Sequence, residues 1–220
     1  MKNQPQTYFF SILLIVLLLL ESCSSPLTLQ KRDQGLHALE NGDLEEAVNY
    51  FKEYLQKVPD DTKTRNNLAV AFMRQKRFDD AFNELQKVIA QSPENSRAHY
   101  NLALVYYNKK LFDEEIVEYQ KTIALSPNHY GAHLNLGHAL LAKGDKKGAK
   151  EQYQWVIEKN PNNERVIFTL GILYTEENED EKAVAMFKRY LEIDPDGKFA
   201  AKAKAYLLDL GKKLSKSDHP

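Results

Sequence analysis

The chain has 220 residues, 28% of them charged, with a formal net charge of −1 and a single cysteine. A mixed-sign balance of this kind excludes the basic stripe with which nucleic-acid binders hold phosphate, and one cysteine excludes an internal disulfide. From the N-terminus, Lys2 gives a short basic start and Tyr8–Leu20 an apolar run of 13 residues. A helix needs about 20 such residues to span a bilayer. The run therefore suits the core of a signal peptide, and 1–22 are expected to lie outside the fold.

Directly after that run comes Leu20-Glu21-Ser22-Cys23-Ser24-Ser25. It resembles the bacterial lipoprotein box: leucine three before the cysteine, a small residue just before it, and Glu21 as an unusual occupant between them. The resemblance implies cleavage before Cys23 and acylation of that residue, with chains such as palmitate. Residues 23–27 would then be a lipidated tether. The competing reading is an ordinary cleaved signal with an incidental cysteine. Ser24 stands where lipoproteins kept at the inner membrane of enteric bacteria usually have aspartate, which implies the outer membrane, facing the periplasm. Five residues separate Cys23 from Thr28, so the fold is expected within roughly 18 Å of the headgroups.

The body is set by Pro59, Pro93, Pro127, Pro161 and Pro195, each 34 residues after the one before. A strict period of this length means one helical hairpin copied and stacked. The copies run 28–61, 62–95, 96–129, 130–163 and 164–197. A small residue recurs in the first helix of each: Gly35, Ala69, Ala103, Gly137, Gly171. Early in the second helix the column is Ala47, Ala81, Glu115, Ala149, Ala183. Four residues on come Phe51, Leu85, Tyr119, Tyr153, Phe187, and four further Leu55, Ile89, Ile123, Ile157, Leu191. A spacing of four keeps these on one helical face. Gly42, Gly144 and Asn178 fall between the helices of their hairpins, where a left-handed residue ends a helix cheaply. Glu115 departs from its column and is expected to reach solvent along its stem.

These columns resemble the tetratricopeptide repeat, whose pattern is small-small-aromatic-proline over two antiparallel helices. "LALVYYNKKLFDEEIVEYQKTIALSP" and "LGHALLAKGDKKGAKEQYQWVIEKNP" carry the match most closely, and it covers about 170 residues. It implies an all-α fold: a right-handed α-solenoid of five hairpins over 28–197. After Pro195 the stripe Phe199, Ala203, Tyr206, Leu207, Leu210 predicts a capping helix over 198–213, ended by Gly211, and a flexible tail over 214–220. Lysines predominate in this last stretch, which reads as a solvated helix end.

Family resemblance also implies that the first helices line a concave groove. One column there reads Asp33, Asn67, Asn101, Asn135, Thr169. An asparagine amide both donates and accepts, so a ladder of them can pair an extended backbone whatever its sequence. Tyr100, Leu104, Tyr107, Leu134, His138, Phe168 and Ile172 are expected to face the same groove, with Arg97 at its edge. The implied partner is a protein or peptide. The chaperone-clamp subclass is disfavoured, because Arg97 is followed four residues on by Asn101 rather than by a basic residue.

Gly-rich phosphate loops, HExxH and GxSxG do not occur. His129 and His133 are four apart, with His138 nearby, but His129 falls in an inter-repeat loop and His133 shares the packing column of His99. Glu45-Glu46 and Glu114-Glu115 read as helix-surface charge. The expectation is a non-enzymatic, membrane-anchored scaffold with no metal, cofactor, small-molecule substrate or nucleic acid. By layout it resembles the pilotin lipoproteins of type IV pilus systems, and the lipoprotein adaptors that dock peptidoglycan hydrolases.

Overall fold

The computed structural model describes residues 26–217. The predicted signal, Cys23 and the last three residues of the predicted tail lie outside that range. The described residues form eleven helices and no strand. The described residues divide into two compact units, split between Lys109 and Lys110.

The first unit contains α1 (Pro26–Asn41), α2 (Leu44–Lys57), α3 (Thr62–Arg74), α4 (Phe78–Gln91) and α5 (Ser96–Lys109). Successive helices pack on one another, and α3 also meets α5 one period on. Helix α1 starts two residues inside the predicted tether, with Pro26 in a first turn that has no use for its missing N–H. The second unit contains α6 (Phe112–Leu125), α7 (Tyr130–Ala142), α8 (Lys146–Lys159), α9 (Glu164–Glu176), α10 (Asp180–Ile193) and α11 (Ala200–Ser217). Here too each helix packs on the next.

The small-residue column works by contact with an aromatic ring across the hairpin. A Cβ placed on Gly35, Gly137 or Gly171 would lie 2.6 Å from Phe51, Tyr153 or Phe187 respectively. The rings are buried against bare backbone. Where the facing residue is the smaller Leu85, the column accommodates Ala69, itself fully buried.

Turns repeat as faithfully as helices. Gly42, Lys76, Lys110, Gly144 and Asn178, each 34 residues from the last, all have positive φ between 59° and 89°. Of these, residue type alone marks only the glycines and the asparagine as left-handed. The inter-repeat loops end in N-caps at the same period: Asp61, Asn95, His129 and Asn163 each accept a backbone N–H of the following helix, satisfying a donor that the helix itself leaves free.

Each ladder proline has a second role. Its carbonyl accepts a side-chain hydrogen bond in every repeat: Pro59 from Arg65 (2.5 Å), Pro93 from His99 (2.8 Å), Pro127 from His133 (2.9 Å), Pro161 from Arg189 (2.5 Å) and Pro195 from Lys204 (3.2 Å). Proline stops the helix, and the carbonyl it exposes is tied to a later helix.

Helix α11 covers the last hairpin through the predicted stripe. Ala203 and Leu210 are buried, and Phe199, Tyr206 and Leu207 pack on the same cluster. Gly211 does not end it. The helix runs on to Ser217, because Gly211 does not take the positive φ with which Gly42 and Gly144 end their helices.

Candidate functional site

The groove residues foreseen from sequence divide between the units. On α3 and α5 of the first unit, Asn67, Tyr100 and Leu104 are half-buried, and Arg97 and Tyr107 are exposed. Tyr107, at 57% exposure, is among the most open large apolar side chains of the described residues. Asn101 is a correction. It is 7% exposed and donates from Nδ2 to Oδ1 of the buried Asn66 at 2.7 Å. Its amide joins α3 to α5 and presents little to a ligand. Nothing in the period foretells this, because Asn66 occupies a column that elsewhere holds Arg32, Tyr100, Leu134 and Phe168.

In the second unit, Leu134 and Ile172 are half-buried and pack on the core, and Asn135 is half-buried. Phe168 is the second correction. Only 5% exposed, it stacks on Phe199 at 4.6 Å and meets Phe187 and Tyr190 edge-on. The segment leading into α11 supplies the lid, so this part of the wall is filled by the chain itself. His138 lies edge-on to Tyr153 at 5.6 Å. The residue stays exposed, yet partial loss of water around the ring, then the nearby Arg165 charge, hold its pKa below the usual histidine value.

The three histidines have separate duties. His129 caps α7 through Nδ1. His133 stacks on Trp155 at 3.7 Å and 13°, with Nδ1 on the Gln152 amide at 2.8 Å and Nε2 on the Pro127 carbonyl. Among the described residues no group of three or more His, Cys, Asp or Glu could hold a metal ion, and no helix is long and apolar enough to cross a membrane.

Glu115 contradicts its sequence reading. It is 2% exposed, and its Oε2 has no hydrogen-bond partner. Burial pushes its pKa up to about 7, as desolvation of an unpaired carboxylate must. Glu45, Glu46 and Glu114 are exposed as expected.

The first unit also contains a cleft that no single column revealed. A cavity of about 540 Å³ opens between the C-terminal half of α3, the turn after it, the start of α4, and α5. Val70, Met73, Phe78 and Leu104 make its apolar part; Arg74, Lys76 and Asn108 are its polar residues. Arg74 is oriented by donation from Nη1 to the Leu39 carbonyl at 2.7 Å. Asn108 is held by its Nδ2 on the Leu104 carbonyl.

Comparison with known proteins agrees with this architecture. A family profile described as Tetratricopeptide repeat matches residues 32–92 and 134–198, and a second of the same description matches 72–114. The chain belongs to the tetratricopeptide repeat family. A search of curated proteins finds no match. Among solved structures, the crystal structure of MamA protein aligns with a TM-score of 0.67 at 25% identity, covering 80% of this chain and 94% of that one. YrrB, described as a TPR protein with an unusual peptide-binding site, aligns at 0.66 and 20% identity over 78% and 88%. PilF of Pseudomonas aeruginosa aligns at 0.68 and 20% identity over 86% and 90%.

Proposed function

We propose that the protein is a lipid-anchored adaptor of the bacterial envelope, probing for a protein or peptide partner with the inner faces of its first helices and performing no catalysis itself. The observation that carries the binding half is the face of α3 and α5, where Leu104 and exposed Tyr107 flank an unfilled cleft beside Arg74 and Lys76. Stacked repeats offer just such extended faces, and aromatic and arginine side chains are the usual anchors of interfaces. YrrB, similar in fold, has a peptide-binding site. The anchoring half rests on Leu20–Ser25, read as a lipoprotein box with Cys23 acylated and the outer membrane as destination.

Two narrower readings follow from layout: a pilotin-type factor for assembly of a type IV pilus secretin, and an adaptor for peptidoglycan hydrolases. The similarity in fold to PilF is compatible with the first. The test has two arms. Metabolic labelling with palmitate, comparing wild type with Cys23→Ser, should label only the wild type, which should also fractionate with outer membranes. Crosslinked capture of the native lipoprotein should recover a secretin subunit on the first reading and a murein hydrolase on the second. Loss of neither label nor membrane association in Cys23→Ser would sink the anchoring half.

A further inference from the structure

We propose that the α3–α5 cleft is a recognition site for an acidic peptide that inserts an apolar side chain. The inference rests on the adaptor reading and names the chemistry of its ligand. Four lining residues are apolar and two are cationic, and no acidic side chain is among them. A surface that pairs an apolar floor with one sign of charge selects the opposite sign in its partner. Charges just outside are neutralised in pairs. Arg77 is paired with Asp80, Lys109 with Asp79, and Lys110 follows in the sequence. Arg74 and Lys76 enter no ion pair among those of the described residues, so their charge is available to a ligand. Arg74 uses one of its five donors on Leu39, which fixes the guanidinium and leaves the rest of the fork for a carboxylate.

Lys76 reaches the cleft from the turn after α3. Its φ is 61°, in a turn column where the next repeat has Lys110 at 60° and the other three have glycine or asparagine. From that turn its side chain lines the cleft. Tyr107, one turn beyond Leu104 on the same face of α5, is exposed where it can close over an inserted residue.

The test uses full-length protein and a fluorescein-labelled hexapeptide alternating aspartate with leucine and phenylalanine, read by fluorescence anisotropy. A matched peptide with lysine for aspartate is the control. The acidic probe should bind, and binding should weaken as salt rises. Met73→Glu, which places a carboxylate in the floor, should raise Kd tenfold or more. Lys76→Asn keeps a residue suited to positive φ and should raise Kd about two- to fivefold, the worth of one exposed ion pair. Circular dichroism of both variants should match wild type. Equal binding of the basic probe, or an unchanged Kd in folded Met73→Glu, overturns the proposal. If the probe behaves as stated but the native lipoprotein captures no partner, the cleft chemistry stands and the adaptor reading falls.

Discussion

Helices α6 and α8 stand at the same register in consecutive repeats, yet their faces are nearly inverted. Helix α8 buries Ala149, Tyr153 and Val156 and exposes Glu151, Lys146 and Lys159. Helix α6 buries Glu115, Glu118, Tyr119 and Thr122 and exposes Phe112, Val117 and Leu125. Only the tyrosine is common to both buried sets. Glu118 is relieved by Lys121 at 2.7 Å, and Thr122 donates to the Glu118 carbonyl at 2.8 Å. Glu115 has no such relief at Oε2. The period therefore dictates where a helix goes even when that helix's own residues argue against the placement. In a repeat array the neighbouring interfaces supply what one helix lacks.

Moving the α6 residue into α8 should break the comparison most severely. Ala149→Glu would place an uncompensated carboxylate at a fully buried position, and a loss of about 3–5 kcal/mol is expected in urea unfolding. The reverse repair is next. Glu115→Gln removes a charge whose pKa rises from an ordinary 4.5 to about 7 on folding. The folded-state value lies above the unfolded one, so the penalty is absent below pH 4.5, grows as the pH rises to about 7, and is constant above. The variant should gain up to about 3 kcal/mol at pH 8 and almost nothing at pH 4.5; a gain independent of pH would assign the effect to packing. His133→Ala, which strips the partner from the Pro127 carbonyl and the stack from Trp155 of α8, should cost about 1–3 kcal/mol in a thermal melt. Smallest of all, Lys76→Gly gives that turn the residue found at Gly42 and Gly144. It should stabilise by about 0.5 kcal/mol, since relief of the left-handed strain is partly offset by backbone entropy.

Much of this was legible beforehand because it depends on spacing. The ladder prolines placed every hairpin, the Gly35, Gly137 and Gly171 column found its rings, and the Phe199–Leu210 stripe found the cap. What escaped depends on what lies opposite. Glu115 looked like a residue that reaches water, since a long stem usually permits it; its column faces inward in every repeat, as the full burial of Ala47, Ala81, Ala149 and Ala183 shows. Asn101 looked available until Asn66 proved to be its partner, and Phe168 looked like groove until the segment after Pro195 covered it. One signal was present and unread. Arg65, His99 and His133 each lie six residues after a ladder proline, a regularity that apolar packing alone does not explain. The histidines were read as rings, and their nitrogens turned out to matter as well.

The ties from side chain to proline carbonyl have a mechanical consequence. Each one bridges a loop and a later helix, so it must rupture before the hairpins it joins can separate. If the two ends of one unit were drawn apart in an optical trap, extension should come in discrete increments, one per hairpin, with the plateau force lowered at a junction whose tie has been cut by mutation.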